Sequence, residues 1–171
     1  MAMDSYRENL LKEAKQLHSN GIEGDKKAVM SAYEKLLTLR GLEPNNAVIE
    51  AYYGSSLALL ARDAVKLLEK EEKARTGLDA LNRAVALDPN HKEIRLLRAN
   101  VCLRLPDSYF QSAQTAIDDF SFLLARNQAK ADFLTQKQVR EILTKLSKAY
   151  QIAGKPDKAQ QVLQRLAKLK P

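Results

Sequence analysis

The chain has 171 residues, 45% of them hydrophobic, with six glycines, five prolines, one cysteine, no tryptophan and a net charge of +7. That length allows one domain with a sizeable core or a short array of stacked hairpins, and the composition suits a helical chain while excluding a disordered, disulfide-stapled or all-β one. No apolar run approaches the roughly 20 residues that span a bilayer, and the opening MAMDSYRENLLKEAKQL mixes charge with apolar positions, unlike a secretory leader, so a cytoplasmic location is expected.

A first helical hairpin is expected over residues 4–42. Leu10, Leu11, Ala14 and Leu17 recur at helical spacing, Asn20-Gly21 and Glu23-Gly24-Asp25 mark a long turn, and Ala28, Val29, Ala32, Tyr33, Leu36, Leu37 and Leu39 line the returning helix. Leu42-Glu43-Pro44-Asn45-Asn46 ends this unit and supplies an N-cap to the next. The second hairpin, 46–89, opens with Tyr52, Tyr53, Gly54 and Leu57 and returns through Gly77, Leu81, Ala84 and Leu87. Between them, ARDAVKLLEKEEKAR (61–75) has high helix propensity and no breaker, which predicts extra helical turns and a displaced bend rather than a loop.

The third hairpin, 90–126, starts with EIRLLRAN, carries Ala99, Cys102 and Leu103 on its apolar stripe, stops at Leu105-Pro106-Asp107-Ser108, and returns through Ala116, Ile117, Phe120, Leu123 and Leu124. Tyr109 and Phe110 fall on the connection, as a contact surface or as packing for a long loop. Residues 126–137 read as an irregular, partly helical link. Cys102 reads as a buried thiol.

The fourth hairpin, 138–171, has the most regular pattern. Leu143, Leu146, Ser147 and Tyr150 precede Gly154-Lys155-Pro156-Asp157, after which Ala159, Leu163, Leu166 and Leu169 resume the stripe. Ser147 and Ala159 are small where two helices must approach, with Tyr150 and Leu163 expected to fill the surrounding space. Gly154 suits a left-handed helix end and Pro156 a helix start. This order of large, small, aromatic, turn, small, large and terminal proline resembles the tetratricopeptide repeat, a helix-turn-helix unit of about 34 residues. The extended second repeat, the Leu-Arg-Ala helix and the Leu-Pro turn are similar to bacterial proteins of that family.

The resemblance implies an all-α, right-handed superhelical array of about four hairpins forming one domain, with Gly54 and Ala99 in small-residue slots and the second repeat lengthened by about 11 residues. It also implies a concave groove lined by the first helix of each hairpin, able to hold a peptide or helix of a protein partner. The groove candidates are Lys15, Tyr52, Ser55, Leu96, Asn100, Arg104, Lys145, Lys148 and Gln151. A Lys, Asn and Arg set that clamps chaperone carboxy termini in some relatives is incomplete here, because Ser55 stands where a second asparagine is needed.

Charge points to the partner. Residues 1–125 carry 17 Lys and Arg against 18 Asp and Glu, whereas residues 126–171 carry 11 against three. Either the basic residues merely solvate outer helices, or they meet an acidic or carboxylate-bearing segment. Nucleic acid is the alternative, although exposed aromatics for base stacking are lacking. Catalysis is not expected: His18 and His91 lie in different hairpins, Asp118 and Asp119 point about 100° apart on a helix, and no phosphate loop, zinc spacing or nucleophile elbow is present. No cofactor or metal is predicted. Val162, Leu166 and Leu169, if incompletely covered, would support a weak homodimer through the carboxy-terminal hairpin.

Overall fold

A computed structural model describes residues 1–171. The fold is all-α, as expected, with nine helices: α1 (Ala2–Ile22), α2 (Lys26–Leu42), α3 (Ala47–Asp63), α4 (Leu67–Leu87), α5 (Lys92–Arg104), α6 (Asp107–Phe110), α7 (Ala113–Ala129), α8 (Gln136–Ile152) and α9 (Pro156–Ala167). They form two compact units, residues 1–97 and 98–171, with the boundary inside α5.

Local chemistry sets four of the nine helix starts. Asp25 Oδ1 accepts from the Ala28 N–H at 3.0 Å, and Asn46 Oδ1 accepts from Val48 and Ile49. Thr135 and Gln138 form a reciprocal capping box, and Pro156 opens α9 where its missing N–H costs nothing. Gly24 (φ 111°) and Gly154 (φ 72°) make turns that a side chain would strain.

In the first unit, α1 packs on α2 and α3 on α4, around Val29, Ala32, Leu36, Leu39, Ile49 and Leu57. The closest approach is between Gly54 and Gly77. A Cβ added to either would lie 2.6 Å from the other's carbonyl oxygen, so α3 and α4 touch backbone to backbone. Charge is buried here too: Glu50, 1% exposed, takes a two-point contact from Arg40, whose guanidinium lies 4.5 Å from the Tyr53 ring centroid. In the second unit, Phe120, Leu123, Ile142 and Leu143 are fully buried, and Arg98 grips the fully buried Asp119 through bonds of 2.8 and 2.7 Å. Ser147 and Ala159 are both buried, and the Ser147 hydroxyl donates to the Ala159 carbonyl at 3.2 Å.

Several expectations need correction. Asn20 and Gly21 lie inside α1 rather than in a turn, because Gly21 packs directly on Val29; the turn is only Glu23-Gly24-Asp25, as short as the one before α9. The extra residues of the second hairpin do lengthen a helix. The bend falls at Ala64-Val65-Lys66, and the 21-residue α4 begins with Leu67 and Leu68 almost fully exposed. Leu37 is 45% exposed, and Leu163, expected in the core, is 37% exposed, since only Ala159 of α9 is buried. Tyr109 and Phe110 fold into the single turn of α6, edge to face at 5.0 Å, with Tyr109 half exposed. The link before α8 is shorter than expected: α7 continues to Ala129 and Leu134 is buried, its N–H held by Asn127 Oδ1 at 2.9 Å.

Candidate functional site

The predicted groove residues other than Leu96 gather into two clusters, one in each unit. In the first, α1 offers Lys15 and His18, which share a face because they are three residues apart, and α3 offers Tyr52 and Ser55 for the same reason. Glu93, at the start of α5, completes the group. Lys15 Nζ lies 2.8 Å from Glu93 Oε1 and 5.2 Å from the Tyr52 ring centroid. Burial, then a hydrogen bond to Glu93, raises the Tyr52 hydroxyl above its ordinary pKa. Burial pushes the Glu93 carboxyl upward, but hydrogen bonds from Lys15 and Tyr52 and the Lys15 charge outweigh it and hold the group below its usual range. Beside this cluster, Glu8, Leu11, Lys12, Lys15 and Gln16 line an open recess of about 470 Å³ along α1.

Ser55 is not available to a ligand. Its Oγ lies 2.7 Å from His18 Nε2, and the two residues are only 5% and 2% exposed. The contact has the length of a nucleophile–base pair. Enclosed this way it acts as a structural hydrogen bond, with Tyr52 set edge-on to the imidazole at 5.1 Å. Leu96 is half buried on α5.

In the second unit, α5 and α8 bring the remaining candidates together. Lys145 Nζ donates to Asn100 Oδ1 at 2.8 Å. An ammonium only donates, so with Oδ1 engaged by Lys145 the Asn100 amide N–H groups are the donors it can offer a ligand. Burial lowers the Lys145 pKa; Glu141 opposes the shift and the nearby charge of Arg104 reinforces it. Arg104 is exposed, as are Lys148 and Gln151, which follow Lys145 at three-residue steps on α8. The cluster is therefore basic and rich in donors, which suits carboxylates. Asp118 and Asp119 do not share an ion: Asp119 is held by Arg98, and Asp118 accepts from Gln114. No three His, Cys, Asp or Glu side chains converge to hold a metal.

Two solved structures of MamA, a protein containing tetratricopeptide repeats, share this arrangement of helices. One matches with a TM-score of 0.62 and 18% identity, covering 96% of this chain and 73% of that one. The other gives 0.62 and 17%, covering 94% and 76%. The fold is tetratricopeptide-repeat-like. At such identity the likeness establishes the helical repeat and nothing of the partner. No protein-family model and no curated protein matches the chain.

The Ser147–Ala159 and Gly54–Gly77 contacts are the close approaches of the two helices within the fourth and second hairpins. Glu93 and His18 were the members missed in sequence. His18 carries a signal in its spacing from Ala14 and Lys15, but Glu93 is 78 residues from Lys15 and nothing local marks the pair.

Proposed function

We propose that the chain is a non-catalytic protein-interaction scaffold whose second unit receives an acidic or carboxylate-bearing segment of a partner. The observation that carries this reading is charge placed on a donor-rich surface. Residues 1–97 hold 15 basic and 15 acidic residues, whereas residues 98–171 hold 13 basic and six acidic, so the whole excess belongs to the unit that presents Asn100, Arg104, Lys145 and Lys148. Lys145 is kept partly buried next to another cation against its own desolvation, an arrangement that an incoming carboxylate relieves. Lys15 and Tyr52 form a second, charge-balanced contact surface in the first unit. No helix is long and apolar enough to cross a membrane.

The test is the anisotropy of a labelled acidic peptide and of a labelled DNA duplex, each titrated with protein at low and moderate salt. The expected result is peptide binding that persists at moderate salt and is abolished by Arg104→Glu with Lys148→Glu, a pair chosen because both side chains are exposed whereas Lys145 is tied to Asn100. Binding of the duplex alone, with the steep salt dependence of phosphate contacts, would replace this reading. A second copy of the chain is the further partner we assign to α9 and the residues after it, where Val162, Leu163, Leu166 and Leu169 are incompletely covered. Sedimentation showing a mass that does not rise with concentration would remove it.

A further inference from the structure

At the junction between the first two hairpins, α2, its following turn and α4 line an open recess of about 370 Å³ formed by Leu37, Arg40, Gly41, Pro44 and Arg83. Its two arginines share one carboxylate, that of the buried Glu50. Arg40 Nε lies 2.7 Å from Glu50 Oε2 and its Nη2 lies 3.2 Å from Oε1; Arg83 Nη1 lies 3.2 Å from the same Oε2. Arg83 Nη2 also donates to the Pro44 carbonyl at 3.0 Å and to Asn45 Oδ1 at 3.3 Å. Glu50 is 1% exposed, while the Arg40 and Arg83 side chains are 37% and 42% exposed. The carboxylate on the adjoining turn, Glu43, is engaged elsewhere, accepting from Asn46 at 2.9 Å and facing Arg7. One positive charge is left over, and it faces the recess.

Neutralising Glu50 requires one guanidinium, and the two-point contact of Arg40 already does it. Arg83 ties α4 to the turn after α2 through Pro44 and Asn45 and brings a second, partly exposed positive charge. Gly41 adjoins both on the recess. It is helical, without the positive φ that favours glycine, and a Cβ there would meet nothing within 4 Å. A glycine in a helix weakens it relative to alanine, and here it leaves the recess unfilled beside the exposed Leu37 and Pro44.

We propose that this recess is a binding site, distinct from the Lys145 surface, for a single peptide carboxylate flanked by an aliphatic side chain. The carboxylate takes the remaining guanidinium donors of Arg40 and Arg83, in the planar geometry to which arginine is suited, and the aliphatic group rests on Leu37 and Pro44. Charge selects the ligand: a monoanion neutralises the excess, whereas a dianionic phosphate overshoots it and is repelled by Glu50.

The experiment is a nitrogen–proton correlation titration of the full chain with acetyl-Leu-Glu-amide, acetyl-Leu-Gln-amide and inorganic phosphate, reading the Gly41 amide and the Arg83 Nε–H. Saturable shifts with the glutamate peptide alone are expected. Arg83→Gln, which leaves Glu50 on Arg40, should weaken binding about tenfold or more, the size expected for one charge-assisted hydrogen bond. Gly41→Leu should abolish it. Equal shifts with the glutamine peptide, tighter binding of phosphate, or undiminished binding to both variants would overturn the proposal.

Discussion

The Arg98–Asp119 pair shows how much depends on single contacts in this chain. Asp119 is fully buried, and the two bonds from Arg98 compensate its desolvation. Arg98→Ala should therefore cost about 3–5 kcal/mol, because the carboxylate is left without its ion pair, and the loss is measurable by urea unfolding. Cys102 lies beside this pair. Burial first, and then the Asp119 charge, push its thiol up to about 12, so it should resist alkylation in the folded protein and react on unfolding. Glu93 gives a prediction in pH. Its folded pKa lies below the usual 4.5, so its contribution is present above that value and is lost as pH falls through the lowered one. Glu93→Gln should flatten this part of the acid limb when melting temperature is followed below pH 4.5.

At the scale of elements, α3 and α4 depend on having no side chains where they touch. Gly54→Ala forces a Cβ to within 2.6 Å of the Gly77 carbonyl and 3.0 Å of Ala80 and Leu81. It should cost about 1–3 kcal/mol, despite alanine's better helix propensity, because the two backbones must separate; thermal unfolding would show the sign. α9 gives the opposite contrast between two of its own positions. Leu163→Asp, at a site 37% exposed, should cost only about 1 kcal/mol, whereas Ala159→Asp, at a site 2% exposed, should unfold the last hairpin at a cost of several kcal/mol. Helical circular dichroism of the two variants separates these outcomes. The turns explain why these elements were legible beforehand. Asp25 and Asn46 accept from N–H groups within three residues of themselves and Pro156 starts a helix where no N–H is needed; such signals survive without tertiary context. Asn20-Gly21 misled for the complementary reason: a glycine suited to a turn is equally suited to close packing, and Val29 decides which.

At the scale of the whole molecule, charge is partitioned between a neutral unit and a basic one. Binding of an acidic peptide should accordingly respond to Arg104→Glu with Lys148→Glu and remain when Lys12, on the recess of α1, is changed to Glu; anisotropy titrations compare the two. The sequence by itself determined the helices, most of their turns, the small residues at close approaches and the basic carboxy-terminal third, because each depends on spacing or capping along a few turns of chain. Only the tertiary structure decided that Ser55 is closed off by His18, that Lys15 faces Glu93, that Leu163 is left partly in solvent, and that two arginines share Glu50. Those outcomes depend on which surfaces meet across tens of residues, and a helical stripe specifies that a face is apolar without specifying what will cover it.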